Sequence, residues 1–149
     1  MNTIPRSKID PALEKVALVH LLLASKAEYA SVILAMLQVC ATDFAWPPEL
    51  SERIYQAGTE GFINGMEHGN GYQSEKKVTF TLLDTPHRVE LVIQDQGKGF
   101  NPETLPDPLA PENLLKDSGR GIFLIRYWAD DVQFEDDGRR LILQFFKTV

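Results

Sequence analysis

Gly58-Thr59-Glu60-Gly61-Phe62-Ile63-Asn64-Gly65-Met66-Glu67-His68-Gly69-Asn70 is the stretch on which the reading of this chain turns. It predicts the second half of a helix that runs to about His68, with Gly69 or Asn70 as the stop. Glu60 and Asn64 are four apart, so they share one helix face with Cβ atoms roughly 5–6 Å apart. One carboxylate and one amide oxygen at that spacing suit a hard cation such as Mg2+, which takes few protein oxygens and keeps water and phosphate oxygens. The carboxylate can also take a proton from an attacking hydroxyl or water. An isolated Glu-x-x-x-Asn is usually no more than a polar helix face. Here Gly58, Gly61 and Gly65 each cost the helix roughly 1 kcal/mol against alanine, and close approach of a ligand or a backbone would explain them. Glu67 reads as a supporting or solvated residue, and His68 as part of the helix end.

Two further motifs lie downstream. Asp95-Gln96-Gly97-Lys98-Gly99-Phe100 follows an apolar strand. A carboxylate at a strand end can accept a hydrogen bond from an exocyclic amine, which adenine carries and guanine lacks at that edge. Gly97 and Gly99 let the backbone pass close to a ring or turn with positive φ. The segment is not a dinucleotide fingerprint, because Asn101-Pro102 and a proline-rich loop follow where a helix should open. It is not a calcium loop, because Gly97, Lys98 and Gly99 bring no carboxylates. Taken alone it would be an ordinary β-turn. The third motif, Ser118-Gly119-Arg120-Gly121-Ile122, opens a second helix, whose free amides and dipole favour an anion. Ser118 either caps that helix or donates to a phosphate. Arg120 pairs with phosphate, pairs with a partner's carboxylate, or faces solvent. Asn101 to Asp117, with Pro102, Pro106, Pro108 and Pro111, is a loop between the last two motifs, placed as a lid or as a passive connection.

Working outward, residues 1–13 with Pro5 and Pro11 read as a loose tail. Val16 to Leu23 is a near-continuous apolar run, expected as a strand buried on both faces. Glu28 to Phe44 is a helix with Tyr29, Val32, Ile33, Met36, Leu37 and Cys40 on one side and Leu34, Ala35 and Val39 on the other; it is either deeply buried or shared with a second subunit. Trp46-Pro47-Pro48 ends it, and Ser51 is a candidate cap for the next helix, with an earlier start allowed by Pro48. Lys77 to Leu83 and Arg88 to Gln94 are paired strands, and Asp131 to Glu135 with Arg139 to Phe146 form a last hairpin around Asp136-Asp137-Gly138. The order predicts an α+β layer of helices on one sheet face.

With 149 residues, 44% of them hydrophobic, the chain suffices for one domain with its own core. A net charge of −6 speaks against non-specific nucleic-acid binding. Cys40 is the single cysteine and no Cys/His cluster exists, so neither a disulfide nor a structural zinc is expected. The first ten residues lack an apolar signal core, and Val16 to Ser25 is too short to span a bilayer, so no membrane role and a cytoplasmic location are the expectations. No P-loop sequence occurs.

In this order the three motifs resemble the ATP-binding domain shared by histidine kinases, gyrase and Hsp90-type chaperones. They are most similar to the small anti-sigma-factor serine kinases of that superfamily, over about residues 15–147. The resemblance implies a Bergerat-type fold: a two-layer α+β sandwich with a mixed, mostly antiparallel sheet and helices on one face. Residues 1–14 would be a tail and 15–149 the domain. It implies Mg2+ on Asn64, Glu60 as catalytic base, Asp95 on the adenine amino group, and ATP lined by Gly97, Gly99, Phe100, Ser118, Gly119, Arg120 and Gly121. The implied activity is an ATP-dependent serine/threonine kinase acting on a STAS-type antagonist and sequestering a sigma factor or another regulator, often as a homodimer. The alternative is a non-catalytic module of the same fold that binds a nucleotide or only a partner. An ATPase using water as acceptor ranks last, since a lone small domain has nothing to couple hydrolysis to.

Overall fold

The computed structural model describes residues 17–104, 109–113 and 120–148. Its centre is a five-stranded sheet in the order β1-β2-β3-β5-β4, made of β1 (Ala17–Ala24), β2 (Lys77–Asp84), β3 (Arg88–Gln94), β4 (Asp131–Glu135) and β5 (Arg140–Phe146). Every ladder is antiparallel, so the expectation of a mixed sheet narrows to an antiparallel one. Alternation along the central strands decides which face is covered: Val78, Phe80, Leu82, Val89, Leu91, Ile93, Leu141, Leu143 and Phe145 are buried, and their neighbours are not. Three helices, α1 (Ala30–Asp43), α2 (Pro48–Asn64) and α3 (Arg120–Trp128), pack on that face through Ile33, Leu37, Ile54, Ala57, Phe62 and Ile125. The result is the expected two-layer α+β sandwich. Among the described residues no helix is long and apolar enough to cross a membrane.

Three local expectations are corrected. β1 is not buried on both faces: it is an edge strand, paired only with β2 among the described residues, with Leu18 and Leu22 exposed on its outer side. His20 faces the same way and shares a hydrogen bond with the Thr81 hydroxyl at 2.8 Å. Ser51 is not a helix cap. α2 begins at Pro48, whose missing N–H costs nothing in a first turn, and the Ser51 hydroxyl turns back to the Pro47 carbonyl at 3.1 Å. Gly58 and Gly61 answer to the sheet rather than to a ligand. A Cβ on Gly58 would lie 3.0 Å from Leu37 and 3.1 Å from Leu91, and one on Gly61 would overlap Ile93. These two glycines let α2 settle directly onto β3.

The end of the sheet reached by Asp84 is closed by a buried polar cluster. Trp46 donates its indole N–H to Asp84 Oδ1 at 2.8 Å, and Lys147 meets the same oxygen at 2.8 Å. Arg53 on α2 bonds Asp130 at 2.8 Å and the Trp128 carbonyl at 3.0 Å, locking α2 to the end of α3. The opposite end, where β2 starts and β3 stops, carries the candidate site.

Candidate functional site

α2 does not stop at Asn64. The chain continues as one π-helical turn, Gly65–Gly69, closed by the Asn70 amide donating to the Gly65 carbonyl at 2.8 Å. Such wide turns are rare and concentrate at functional sites. Gly71 and Tyr72 then both take positive φ, near +58°, and turn the chain toward β2.

Asp95 stands against this turn. It is 7% exposed, just beyond the end of β3. The Gly97 amide donates to its Oδ1 at 2.8 Å. A Cβ on Gly65 would lie 3.6 Å from the Asp95 Cβ, and one on Gly69 would overlap the Asp95 carboxylate. A Cβ on Gly97 would overlap the Gly69 carbonyl. Gly69 and Gly97 thus let the helix end and the strand end close around a carboxylate that any side chain would displace. Burial pushes the Asp95 carboxyl above its ordinary pKa, against the opposing pull of the Gly97 amide and the Arg139 guanidinium.

Glu60 and Asn64 are both half-buried on α2. A Cβ on Gly121 would lie 3.4 Å from Glu60 Oε2, so the Glu60 carboxylate stands at the first turn of α3. From Glu60 to Gly65, which touches Asp95, is about 7.5 Å along the helix axis. Glu60 and Asn64 share the α2 face that meets the start of α3, while Asp95 stands against the adjoining side, at the turn that continues the helix. Among the described residues no group of three or more His, Cys, Asp or Glu could hold a metal. A cation beside Glu60 and Asn64 would take at most these oxygens from that helix face and the rest from water or phosphate, the pattern Mg2+ prefers.

Arg120 and Gly121 are the first two residues of α3, with Arg120 exposed. Ser118 and Gly119 lie outside the described residues, as do 105–108 and 114–117 of the connecting loop. The described parts of that loop form two short 3-10 turns, Pro102–Thr104 and Pro111–Asn113, where no helix was expected. Gly99 and Phe100 turn away from Asp95 to the β4–β5 hairpin. Gly99 has φ +80°, the Phe100 amide donates to the Asp137 carbonyl at 2.8 Å, and the Phe100 ring meets Phe134 edge-on at 5.4 Å. With Lys98, Asp136 and Asp137 they line an open depression of about 620 Å³ that Asp95, Glu60 and Asn64 do not reach. Arg139 bonds Asp136 at 2.8 Å, which holds the Asp136 carboxyl below its ordinary pKa.

Sequence reasoning passed over Asn70 as a helix stop. It is 1% exposed, its Nδ2 donates to Ser25 Oγ and to the Lys77 carbonyl, each at 2.9 Å, and its Oδ1 accepts from the Gln96 amide at 2.7 Å. The one available signal was an asparagine between a helix and a strand with no charge beside it.

Known proteins are similar to this chain over most of its length. Residues 23–145 match the histidine kinase-like ATPase domain. The chain is 26% identical over 132 residues to the serine-protein kinase RsbW of Listeria monocytogenes serovar 1/2a, covering 84% of each chain. It is 25% identical over 139 residues to that of Bacillus mycoides, covering 88% of this chain and 86% of the relative. It is 24% identical over 125 residues to that of Halalkalibacterium halodurans, covering 80% and 76%. With the domain match spanning most of the sheet and all three helices, this chain belongs to the histidine kinase-like ATPase domain family.

Proposed function

We propose that the chain is an ATP-dependent protein serine/threonine kinase of the anti-sigma-factor type. The observation that carries this is that α2 and the π turn continuing it bring two groups to one end of the sheet: Glu60 against the first turn of α3, and Asp95 against Gly65 and Gly69. Asp95 would accept a hydrogen bond from the adenine amino group, and the amides at the start of α3 would meet the phosphates. Asn64 would hold Mg2+, whose charge offsets that of the transferring phosphoryl group. Glu60 orients the partner's hydroxyl and takes its proton as the oxygen bonds to the γ-phosphorus and the bond to ADP breaks. The relatives named serine-protein kinase RsbW support the serine-kinase activity; a STAS-domain antagonist as phosphate acceptor and a sequestered sigma factor as second partner are what the sequence resemblance implies. We further propose a homodimer.

The test incubates the purified chain with γ-labelled ATP, Mg2+ and STAS-domain proteins of the same organism. The expected result is label on a serine or threonine of one of them, lost in Glu60→Ala while ATP binding persists. Undiminished transfer by Glu60→Ala removes Glu60 from the chemistry. ATP binding without transfer to any of these proteins favours a nucleotide-binding module that acts by sequestration alone. Absence of ATP binding overturns the reading.

A further inference from the structure

We infer that Asn70 is a positioning residue for nucleotide recognition: its side chain fixes the peptide after Asp95, and with it the direction of the carboxylate that reads the purine amine. The inference rests on the ATP reading above. Asn70 joins three chain segments. Its amide nitrogen holds the residue after β1, Ser25, and the first residue of β2, Lys77. Its amide oxygen holds the Gln96 N–H. Gln96 returns the contact, since its Oε1 accepts from the Lys77 amide at 2.7 Å. Ser25 in turn donates to the Lys76 carbonyl at 2.8 Å. The backbone of Asn70 closes the π-helical turn that brings Gly69 against the Asp95 carboxylate. One buried residue therefore sets both walls of the Asp95 site.

The Gln96 N–H belongs to the peptide plane that begins at the Asp95 Cα, and that plane is rigid. Losing the Asn70 oxygen frees it to rotate, which displaces the following Gly97 N–H, the donor that orients the Asp95 carboxylate. A hydrogen bond to a base edge depends on direction and weakens steeply once its angle falls below about 120°. A purely structural asparagine would lower stability and leave selectivity untouched. A positioning asparagine changes which purine is preferred.

The experiment compares ATP with purine riboside triphosphate, which lacks only the 6-amino group, by calorimetry on the full chain. The wild type is expected to favour ATP roughly tenfold to a hundredfold, as for one hydrogen bond to a charged group. Asn70→Ala should bring that ratio toward one under conditions where thermal denaturation shows it folded. Asn70→Asp, which keeps an oxygen toward the Gln96 amide, should retain most of the preference. Lys147→Met, at the far end of the sheet, controls for lost stability and should keep the wild-type ratio. If Asn70→Ala does not fold, Asn70→Ser carries the same comparison, because its hydroxyl ends one bond short of the Gln96 amide. A wild-type ratio in both the alanine and serine variants, or in the serine variant alone where alanine does not fold, overturns the inference and leaves the ATP reading standing. A wild type that does not discriminate between the two nucleotides removes Asp95 from the adenine site, and the inference falls with it.

Discussion

At the scale of single residues the decisive fact is that Asp95 is held where an ionised carboxylate is disfavoured. Burial raises its pKa above the ordinary value near 4. The folded state then binds the proton more tightly than the unfolded chain does. As pH rises from the unfolded-state value through the folded-state one, stability falls, and above both the cost is fully present. Asp95→Asn removes that cost and keeps an oxygen for the Gly97 amide. We predict that Asp95→Asn raises the melting temperature at neutral pH, flattens the fall in stability as pH rises above the ordinary carboxylate range, and weakens ATP at least tenfold. Paired thermal scans and calorimetry would show this. A variant with unchanged Tm and unchanged ATP affinity would mean that Asp95 is neither strained nor in the site. Natural retention of a residue that lowers stability is expected where a function needs it.

At the scale of elements, the two ends of the sheet have separate tasks. Lys77 and Asp84, the first and last residues of β2, are about 23 Å apart. One end holds Asn70 and Asp95; the other holds Trp46, Asp84 and Lys147. Lys147→Met leaves Asp84 buried with only the Trp46 indole, and is expected to cost about 1–3 kcal/mol. Urea denaturation should show this with ATP affinity unchanged. A loss of affinity instead would mean that the two ends are coupled. Much of this division was legible in the sequence. The bounds of β2, β3, β4 and β5 follow from alternation and turn signals, and they differ from the structure by at most a residue. What was hidden were contacts made across the chain. The run Val16–Leu23 has an apolar residue at nearly every position, and periodicity cannot tell a strand covered on both faces from an edge strand with one face open. Gly58 and Gly61 mark a close approach, but only the structure shows that Leu91 and Ile93 make it. Asn70 carries the same letter whether it ends a helix or joins three strand ends.

At the scale of the whole molecule, β1 ends the sheet with a single pairing partner among the described residues. It has eight residues, Ala17–Ala24, with no charge and no proline. Natural edge strands usually carry one or the other to prevent pairing with another sheet. Leu18 and Leu22 are 65% and 62% exposed on its outer side, and Val39 on α1 is 61% exposed. The proposed homodimer has its simplest form here, as two β1 strands hydrogen-bonded antiparallel into one continuous sheet. Centred on His20, that pairing puts Leu18 of one copy opposite Leu22 of the other. Like charges placed opposite each other across an antiparallel pair are destabilising, and opposite charges are favourable. The double variant Leu18→Lys with Leu22→Lys should therefore sediment as a monomer, while Leu18→Lys with Leu22→Glu should recover the dimer. Both variants carry the same number of polar replacements on an exposed face, so loss of hydrophobic surface alone predicts equal behaviour from them. Equal sedimentation of the two would rule out this pairing, and a wild type that sediments as a monomer at micromolar concentration would rule out the dimer itself.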